Sequence, residues 1–263
     1  MAQGRARSHG CDDCRRSGKL DFDFTFAFQP IVDTRSGKVF SYEALVRGPQ
    51  GESAQSILAR VNDENRYLFD QACRVKAITL AAHLGLEAKL NINFLPNAVY
   101  RPELCIKTTL AAAKRLKFPI ERIVFEVTES EKVSDGAHLG NIFQEYKRLG
   151  FATAIDDFGA GYAGLTFLAE YQPDYLKLDM ALIREVDRDT SRQAIVRGIV
   201  VMCRDLGITI IAEGVESDGE FAWLTSEGVD LCQGYFFARP AFQALPGFTL
   251  PTTGRHVLAY TGT

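Results

Sequence analysis

FTFAFQPIV (24–32), DTRSGK (33–38) and VFSYEALV (39–46) follow one another without a break. The two outer runs are short, apolar and rich in aromatic and β-branched residues, as strands are. Only the six residues of DTRSGK join them. A parallel crossover needs about a dozen residues or more. If these two strands are neighbours, they form an antiparallel hairpin. Working outward, further strand-like runs lie at 89–94 (KLNINF), 123–127 (IVFEV), 151–155 (FATAI), 175–178 (YLKL), 208–212 (ITIIA) and 231–235 (LCQGY). Helical patterns at 53–61, 65–84, 106–117, 137–149, 163–170, 192–206 and 218–227 separate them. Leu68, Cys73, Ala77 and Leu80 recur at helical spacing, as do Ile195, Ile199 and Met202. Eight strands joined mostly by helices predict an α/β fold, a modified (β/α)8 TIM barrel with one antiparallel strand. A doubly wound open sheet is the alternative.

The surrounding composition fits one such domain. The chain has 263 residues and a net charge of −3, without the basic surplus of a nucleic-acid binder. No DNA or RNA duplex is expected as partner. No apolar run approaches the roughly 20 residues of a membrane span, and the N-terminus lacks an apolar signal core. A cytoplasmic protein without a membrane segment is expected. Residues 1–21 read as a flexible tail, 22–242 as the barrel and 243–263 as a C-terminal extension, ordered in part through Phe248, Val257, Leu258 and Tyr260. Cys73, Cys105, Cys203 and Cys232 sit in apolar patterns and read as small buried thiols. Cys11 and Cys14 form a CDDC pair near His9. Without a second such pair this is a stray tail feature or a metal or redox site.

Buried parallel strands should read almost wholly apolar. These carry Glu43, Asn91, Asn93, Glu126, Asp156, Asp157, Lys177, Glu213 and Gln233 in or at the C-terminal ends of strands, where a barrel gathers its active site. Five carboxylates in one place raise each other's pKa unless positive charge compensates, and Lys177 alone is too little. Mg²⁺ and Mn²⁺ prefer such oxygen ligands. Two ions sharing a carboxylate suit in-line attack on phosphorus, and adjacent Asp156 and Asp157 suit that sharing. Blander roles compete at single positions. Asp157 or Glu129 could cap a helix, Asn91 could be a structural hydrogen bonder, Asp179 could cap a helix or pair with Lys177, and Lys177 could be a salt-bridge lysine. GAGYAG (159–164) is not a Walker loop, because it lacks the GK[ST] ending. The four histidines, His9, His83, His138 and His256, fall outside the strand ends, which disfavours a histidine-rich metal site. Met1, Met180 and Met202 carry no functional signal.

YEALVRG (42–48), LNINF (90–94), FEVTES (125–130), AIDDFGAGYAGL (154–165), YLKLD (175–179), IAEGVES (211–217) and QGYFFARP (233–240) together resemble the EAL-domain cyclic-di-GMP phosphodiesterases. The opening AFQPIVDTRSGKVFSYEALVRG is similar to the EAL halves of bacterial blue-light sensor proteins. The resemblance covers about residues 24–242 and implies a barrel whose first strand is antiparallel.

It also implies roles. Glu43, Asn93, Glu126 and Asp156 resemble the ligands of one metal ion. Asp156, Asp157 and Glu213 resemble those of a second, with Glu213 also holding its water. Lys177 resembles the lysine that polarises the nucleophilic water, and Glu129 the glutamate that steadies the loop after Asp157. Gln29, Leu45, Arg47 and Gln233 fall where the family contacts substrate. The implied reaction is hydrolysis of cyclic di-GMP to linear 5′-pGpG with two Mg²⁺ or Mn²⁺ ions, Ca²⁺ being less productive, in a homodimer. The usual loop reads DDFGTGYSSL. Here Ala160, Ala163 and Gly164 lose hydroxyls, which makes dimer-coupled regulation less certain while sparing every ligand position. The alternative is a catalytically silent domain that binds cyclic di-GMP or a protein.

Overall fold

The hairpin forms as the six-residue join requires. In the computed structural model, which describes residues 20–129, 136–161 and 164–250, β1 (Thr25–Asp33) and β2 (Lys38–Arg47) pair antiparallel, with Gln29 opposite Glu43. The strands β3 (Lys89–Asn93), β4 (Ile123–Thr128), β5 (Ala152–Phe158), β6 (Tyr175–Leu178), β7 (Thr209–Ala212) and β8 (Leu231–Cys232) then follow in sequence order. Each pairs parallel with the one before, starting from β2. β8 returns to β1, antiparallel, and the eight strands close into a barrel. β1 is thus antiparallel to both neighbours. An added strand, β9 (Ala241–Phe242), pairs with β1 outside the eight.

Helices cover the crossovers: α1 (Ala54–Leu58), α2 (Arg66–His83), α3 (Pro102–Cys105), α4 (Lys107–Leu116), α5 (Gly136–Leu149), α6 (Gly164–Glu170), α7 (Met180–Ile183), α8 (Thr190–Leu206) and α9 (Asp218–Ser226). The boundaries have local causes. Asp189 caps α8 at its start, accepting from the N–H groups of Ser191 and Arg192. Gly207, at φ 71°, ends it in the left-handed conformation that favours glycine.

Alternation along the strands divides the interior from the exterior. Phe26 and Phe28 of β1 face the helices and join the main core with Leu90, Ile92, Phe125, Ile155, Leu176 and Val196. Gln29 and Ile31 share the opposite, inward face. A separate small cluster contains Ile31, Ile211 and Leu231, with Phe40 and Tyr175 packed against it. Tyr175 and Ile211 are two residues before Lys177 and Glu213. The interior is therefore floored by apolar side chains and polar above them.

One buried ion pair ties helices to the barrel wall. Arg74 and Asp70 on α2 are almost wholly buried, with Arg74 Nη2 2.8 Å from Asp70 Oδ2. Arg74 Nη1 donates to the Tyr146 hydroxyl of α5 at 2.6 Å, and its guanidinium lies 5.0 Å from the Phe125 ring centroid. Asp70 accepts from the Leu95 N–H at 2.9 Å, just past β3.

Some elements differ from the sequence reading. The run at 231–235 is extended only over Leu231–Cys232, because the chain turns at Gly234. The helix expected at 53–61 spans Ala54–Leu58. On α8 the deeply buried stripe is Val196, Val200 and Cys203, whereas Ile195 is half exposed. The apolar pattern offered two faces one residue apart, and only packing separates them. Residues 243–250 pack against the barrel: Gln243 N–H donates to Phe26 O, Tyr42 Oη donates to Pro246 O, and Phe248 and Leu250 contact the core. Val257, Leu258 and Tyr260 lie outside the described residues, as do Cys11, Cys14 and His9. The four other cysteines are buried free thiols.

Asp70→Ala should destabilise the fold by about 3–5 kcal/mol, because it leaves the Arg74 charge buried and unpaired. Urea unfolding followed by circular dichroism measures this, and a loss below about 1 kcal/mol would contradict the assigned pairing.

Candidate active site

Lys177 stands inside the barrel on β6 with no solvent exposure. Its Nζ lies 2.7 Å from Glu213 Oε1, 2.8 Å from Asp156 Oδ1, and 3.3 Å from both Glu43 Oε2 and Glu126 Oε2. Four elements deliver these acids: β2, β4, β5 and the residue just past β7. Amide side chains orient them. Asn91 Nδ2 donates to Glu126 Oε1 at 2.6 Å, and Asn93 Nδ2 to Glu43 Oε1 at 3.1 Å. Gln233 Nε2 donates to Glu43 Oε2 at 2.8 Å and to Gln29 Oε1 at 3.3 Å. Asn91 is thus a structural hydrogen bonder to a site carboxylate.

Adjacent aspartates in a regular strand would face opposite ways. Here the β5–β6 register shifts between Ile155 and Phe158, and Asp157 adopts a left-handed φ of 55°. That irregularity brings oxygens of Asp156, Asp157 and Glu213 within 4.8 Å of one another. Glu43, Glu126 and Asp156 form a second such group, and Asp156 belongs to both.

The charge balance is uneven. Burial would strip the proton from Lys177, but Asp156, Glu126, Glu213 and Glu43 hold its pKa well above the ordinary value. Burial pushes Glu126 and Glu213 upward against the pull of Lys177, and neighbouring carboxylates add to the rise. Burial and the Asp156 charge raise Asp157 to about 6. Fully ionised, five carboxylates against one ammonium would leave four negative charges, the number that two divalent cations cancel. The donor set is all hard oxygen, arranged as two groups sharing one carboxylate. It fits Mg²⁺ or Mn²⁺ and offers no soft ligand.

Glu129 stands behind this site. Its Oε2 accepts from the Gly159 N–H at 2.8 Å and the Gly161 N–H at 3.0 Å, and its own N–H donates to Asp156 O at 2.9 Å. Gly159 has φ 102°, and a Cβ there would collide with Leu182. The backbone turn and the carboxylate together hold the start of the loop. Tyr162 and Ala163 lie outside the described residues. Asp179 caps α7 by accepting from the Ala181 N–H at 2.7 Å, which decides between its two sequence readings.

A cavity of about 250 Å³ opens over the cluster, lined by residues including Gln29, Glu43, Asp157, Glu213, Gln233 and Tyr235. Leu45 and Arg47 follow Glu43 on the same face of β2 and are partly buried, but do not line it. The Arg47 Nη1 donates to Val46 O at 2.7 Å. Met180, which had no functional signal in the sequence, does line the cavity. His83 ends α2 and His138 lies in α5, away from the cluster. Sequence reasoning also missed Gly214. At φ 66°, a Cβ there would strike Met180, so the glycine lets the chain after Glu213 pass close to α7. A glycine directly after a strand-end acid was the available signal.

The described EAL domain family matches residues 15–240. The chain belongs to the EAL domain family. It is 34% identical over 241 residues to the blue light- and temperature-regulated antirepressor BluF of Escherichia coli, covering 91% of this chain and 59% of BluF. The chain thus spans under two thirds of that relative. A standalone versatile EAL protein from Vibrio cholerae, solved bound to c-di-GMP, superposes with a TM-score of 0.86 at 59% identity, covering 88% of this chain and 98% of that one. BlrP1 of Klebsiella pneumoniae, solved as a manganese and cyclic-diGMP complex, superposes with a TM-score of 0.79 at 36% identity, covering 86% of this chain and 58% of that one. In this EAL domain the five acids expected as ligands, Glu43, Glu126, Asp156, Asp157 and Glu213, come together in the two oxygen groups, and Asn93 stands beside them, donating to Glu43.

Asp157 at about 6 exceeds its ordinary 3.8, so the metal-free folded state keeps a proton that the unfolded chain releases. Its contribution to stability therefore falls as pH rises from about 4 to about 6. Divalent cations compete with that proton. The rise in thermal midpoint produced by fixed Mn²⁺ should grow from about pH 5 to about pH 7. Scanning fluorimetry across that range tests this, and a constant shift would contradict the assignment.

Proposed function

We propose that this EAL domain hydrolyses one 3′–5′ phosphodiester of cyclic di-GMP, giving linear 5′-pGpG. The observation that carries the reading is the buried all-oxygen cluster around Lys177, open to a cavity through Glu43, Asp157 and Glu213. The family match and the c-di-GMP and manganese complexes of similar EAL proteins support it.

Glu43, Asn93, Glu126 and Asp156 would hold one ion, and Asp156, Asp157 and Glu213 the other. Bound there, Mg²⁺ or Mn²⁺ supplies Lewis-acid stabilisation of phosphoryl charge and lowers the pKa of a water. The chain's own groups do the rest. Lys177 presents a fixed ammonium from below, orienting the attacking oxygen and offsetting negative charge. Glu213 holds the water on the cavity side. Glu129 keeps the turn after Asp157 in place through two backbone N–H groups. Gln233 and Gln29 form an amide pair beside Glu43, placed to contact substrate. Arg47 and Leu45, further along β2, would meet a phosphate and a sugar or base edge as the ligand settles. Ca²⁺ suits the same oxygens but accepts looser geometry, and is the less productive ion. A cytoplasmic homodimer belongs to the same reading, with scattering in solution as its measurement. Among the described residues no helix is long and apolar enough to cross a membrane.

A second reading has one observation in its favour: BluF is named an antirepressor. On that reading the domain binds cyclic di-GMP or a protein without turnover. Incubation of purified protein with cyclic di-GMP and Mg²⁺, followed by chromatography, separates the two. The enzyme yields pGpG, and its absence at mildly alkaline pH would favour the silent domain.

Within the active reading, Glu43→Ala and Asp156→Ala should each abolish detectable turnover. Lys177→Met should lower kcat by about 10²–10⁴-fold. Undiminished turnover in any of the three would refute the site assignment.

A further inference from the structure

Glu220 lies on α9, outside the ligand set, and is 2% exposed. Its Oε2 accepts from the backbone N–H groups of Glu216, at 2.9 Å, and Ser217, at 3.1 Å. Its Oε1 accepts from the Glu185 N–H at 3.0 Å. The first two belong to the loop that leaves β7 through Glu213. The third belongs to the loop that leaves β6 through Lys177, and Glu185 itself has a left-handed φ of 54°. A capping box needs only the local bonds between Ser217 and Glu220. The bond to Glu185 lies outside that motif and joins two βα loops.

The surroundings make the joint tight. A Cβ on Gly219 would collide with Asp187, so α9 begins directly against the β6 loop. A Cβ on Gly214 would collide with Met180, so the two loops also touch beside the site. Val215 N–H donates to Gln233 O at 3.1 Å, extending the stitching to the β8 loop. Arg184 Nη1 contacts Glu216 Oε2 at 2.7 Å across the same seam. The two strand ends that these loops leave carry Lys177 and Glu213, whose Nζ and Oε1 lie 2.7 Å apart.

We propose that Glu220 is a positioning residue that locks the β6 and β7 loops together and so sets Glu213 against Lys177 and Asp157. The proposal rests on the two-metal phosphodiester-hydrolase reading. It acts on the ion group of Asp156, Asp157 and Glu213 and leaves the group of Glu43, Glu126 and Asp156 alone. Removing the carboxylate loosens Glu213 without touching any ligand. Loss of a group that orients a metal ligand typically lowers metal affinity or activity about 10–100-fold.

The experiment compares Glu220→Ala with Ser217→Ala by Mn²⁺ titration, followed by the electron paramagnetic resonance of free Mn²⁺, and by kinetics with cyclic di-GMP. Ser217→Ala removes the cap hydroxyl, whose oxygen accepts from the Glu220 N–H at 3.2 Å, but keeps all three bonds to the Glu220 carboxylate. Both variants should lower the thermal midpoint. Only Glu220→Ala should weaken one of two Mn²⁺ sites and reduce kcat, each by about 10–100-fold, with KM changed less than about threefold. Glu220→Gln retains one acceptor oxygen and should fall between Glu220→Ala and wild type. It also serves if the alanine variant does not fold. Two Mn²⁺ sites of wild-type affinity in Glu220→Ala, or equal losses in the Ser217 and Glu220 variants, would overturn the proposal. Wild-type protein without turnover would count against the hydrolase reading alone, and the Mn²⁺ comparison would still decide the role of Glu220.

Discussion

The interaction on which the rest depends is one ammonium enclosed by four carboxylates. Lys177 Nζ, itself fully buried, contacts Glu43, Glu126, Asp156 and Glu213 beneath the cavity. Unpaired, either sign of charge would be very costly there. Paired, the cluster is still one-sided, because Asp157 adds a fifth acid at its edge. The fold therefore holds together a site with a standing excess of negative charge. Burial, with the neighbouring carboxylates, raises the pKa of Glu126 and Glu213 against the pull of Lys177. A divalent cation relieves that excess, so metal affinity and residual strain arise from the same arrangement.

Two features of the barrel make this arrangement possible. The apolar floor of Ile31, Ile211 and Leu231 fills the lower interior and lets the polar residues two positions further along gather above it. The antiparallel β1 contributes Gln29 from mid-strand, directly opposite Glu43, where a parallel strand would deliver its residues from its C-terminal end. The amides of Gln233, Asn91 and Asn93 then occupy lone pairs that the carboxylates would otherwise present unpaired, and Gln29 Oε1 accepts from Gln233. Outside the wall, Arg74 ties α2 and α5 to the β3 and β4 region that carries Asn93 and Glu126.

Much of this was legible along the chain. The six-residue join fixed the hand of β1 relative to β2, because no crossover can be that short. Polar residues at the ends of apolar runs marked the site, since blander roles at single positions do not account for so many of them on successive strands. Less legible were the residues whose role comes from long-range packing. The helical spacing of Leu68, Cys73, Ala77 and Leu80 says nothing of Arg74 and Asp70, yet both are buried. Ile195 belongs to the helical apolar spacing and is half exposed, because the choice between adjacent helix faces depends on what α8 meets. Met180 carried no signal and lines the cavity, because it starts the short helix that follows β6 and Asp179.

By itself, the sequence determined the alternation of strands and helices, the antiparallel sense of β1 and β2 as neighbours and the list of acids, since these follow from linker length, periodicity and the cost of burying charge; closure into a barrel came from the pairing of β8 with β1. Only the tertiary structure decided which oxygens meet. Asp156 and Asp157 face the same mouth because a strand irregularity and a left-handed φ override the alternation that their adjacency alone would impose. Glu220 joins two loops because residues 35 apart in the chain, Glu185 and Glu220, are brought within hydrogen-bonding distance by the side-by-side pairing of β6 and β7. Such pairings depend on through-space distance, which local propensity and pattern do not encode.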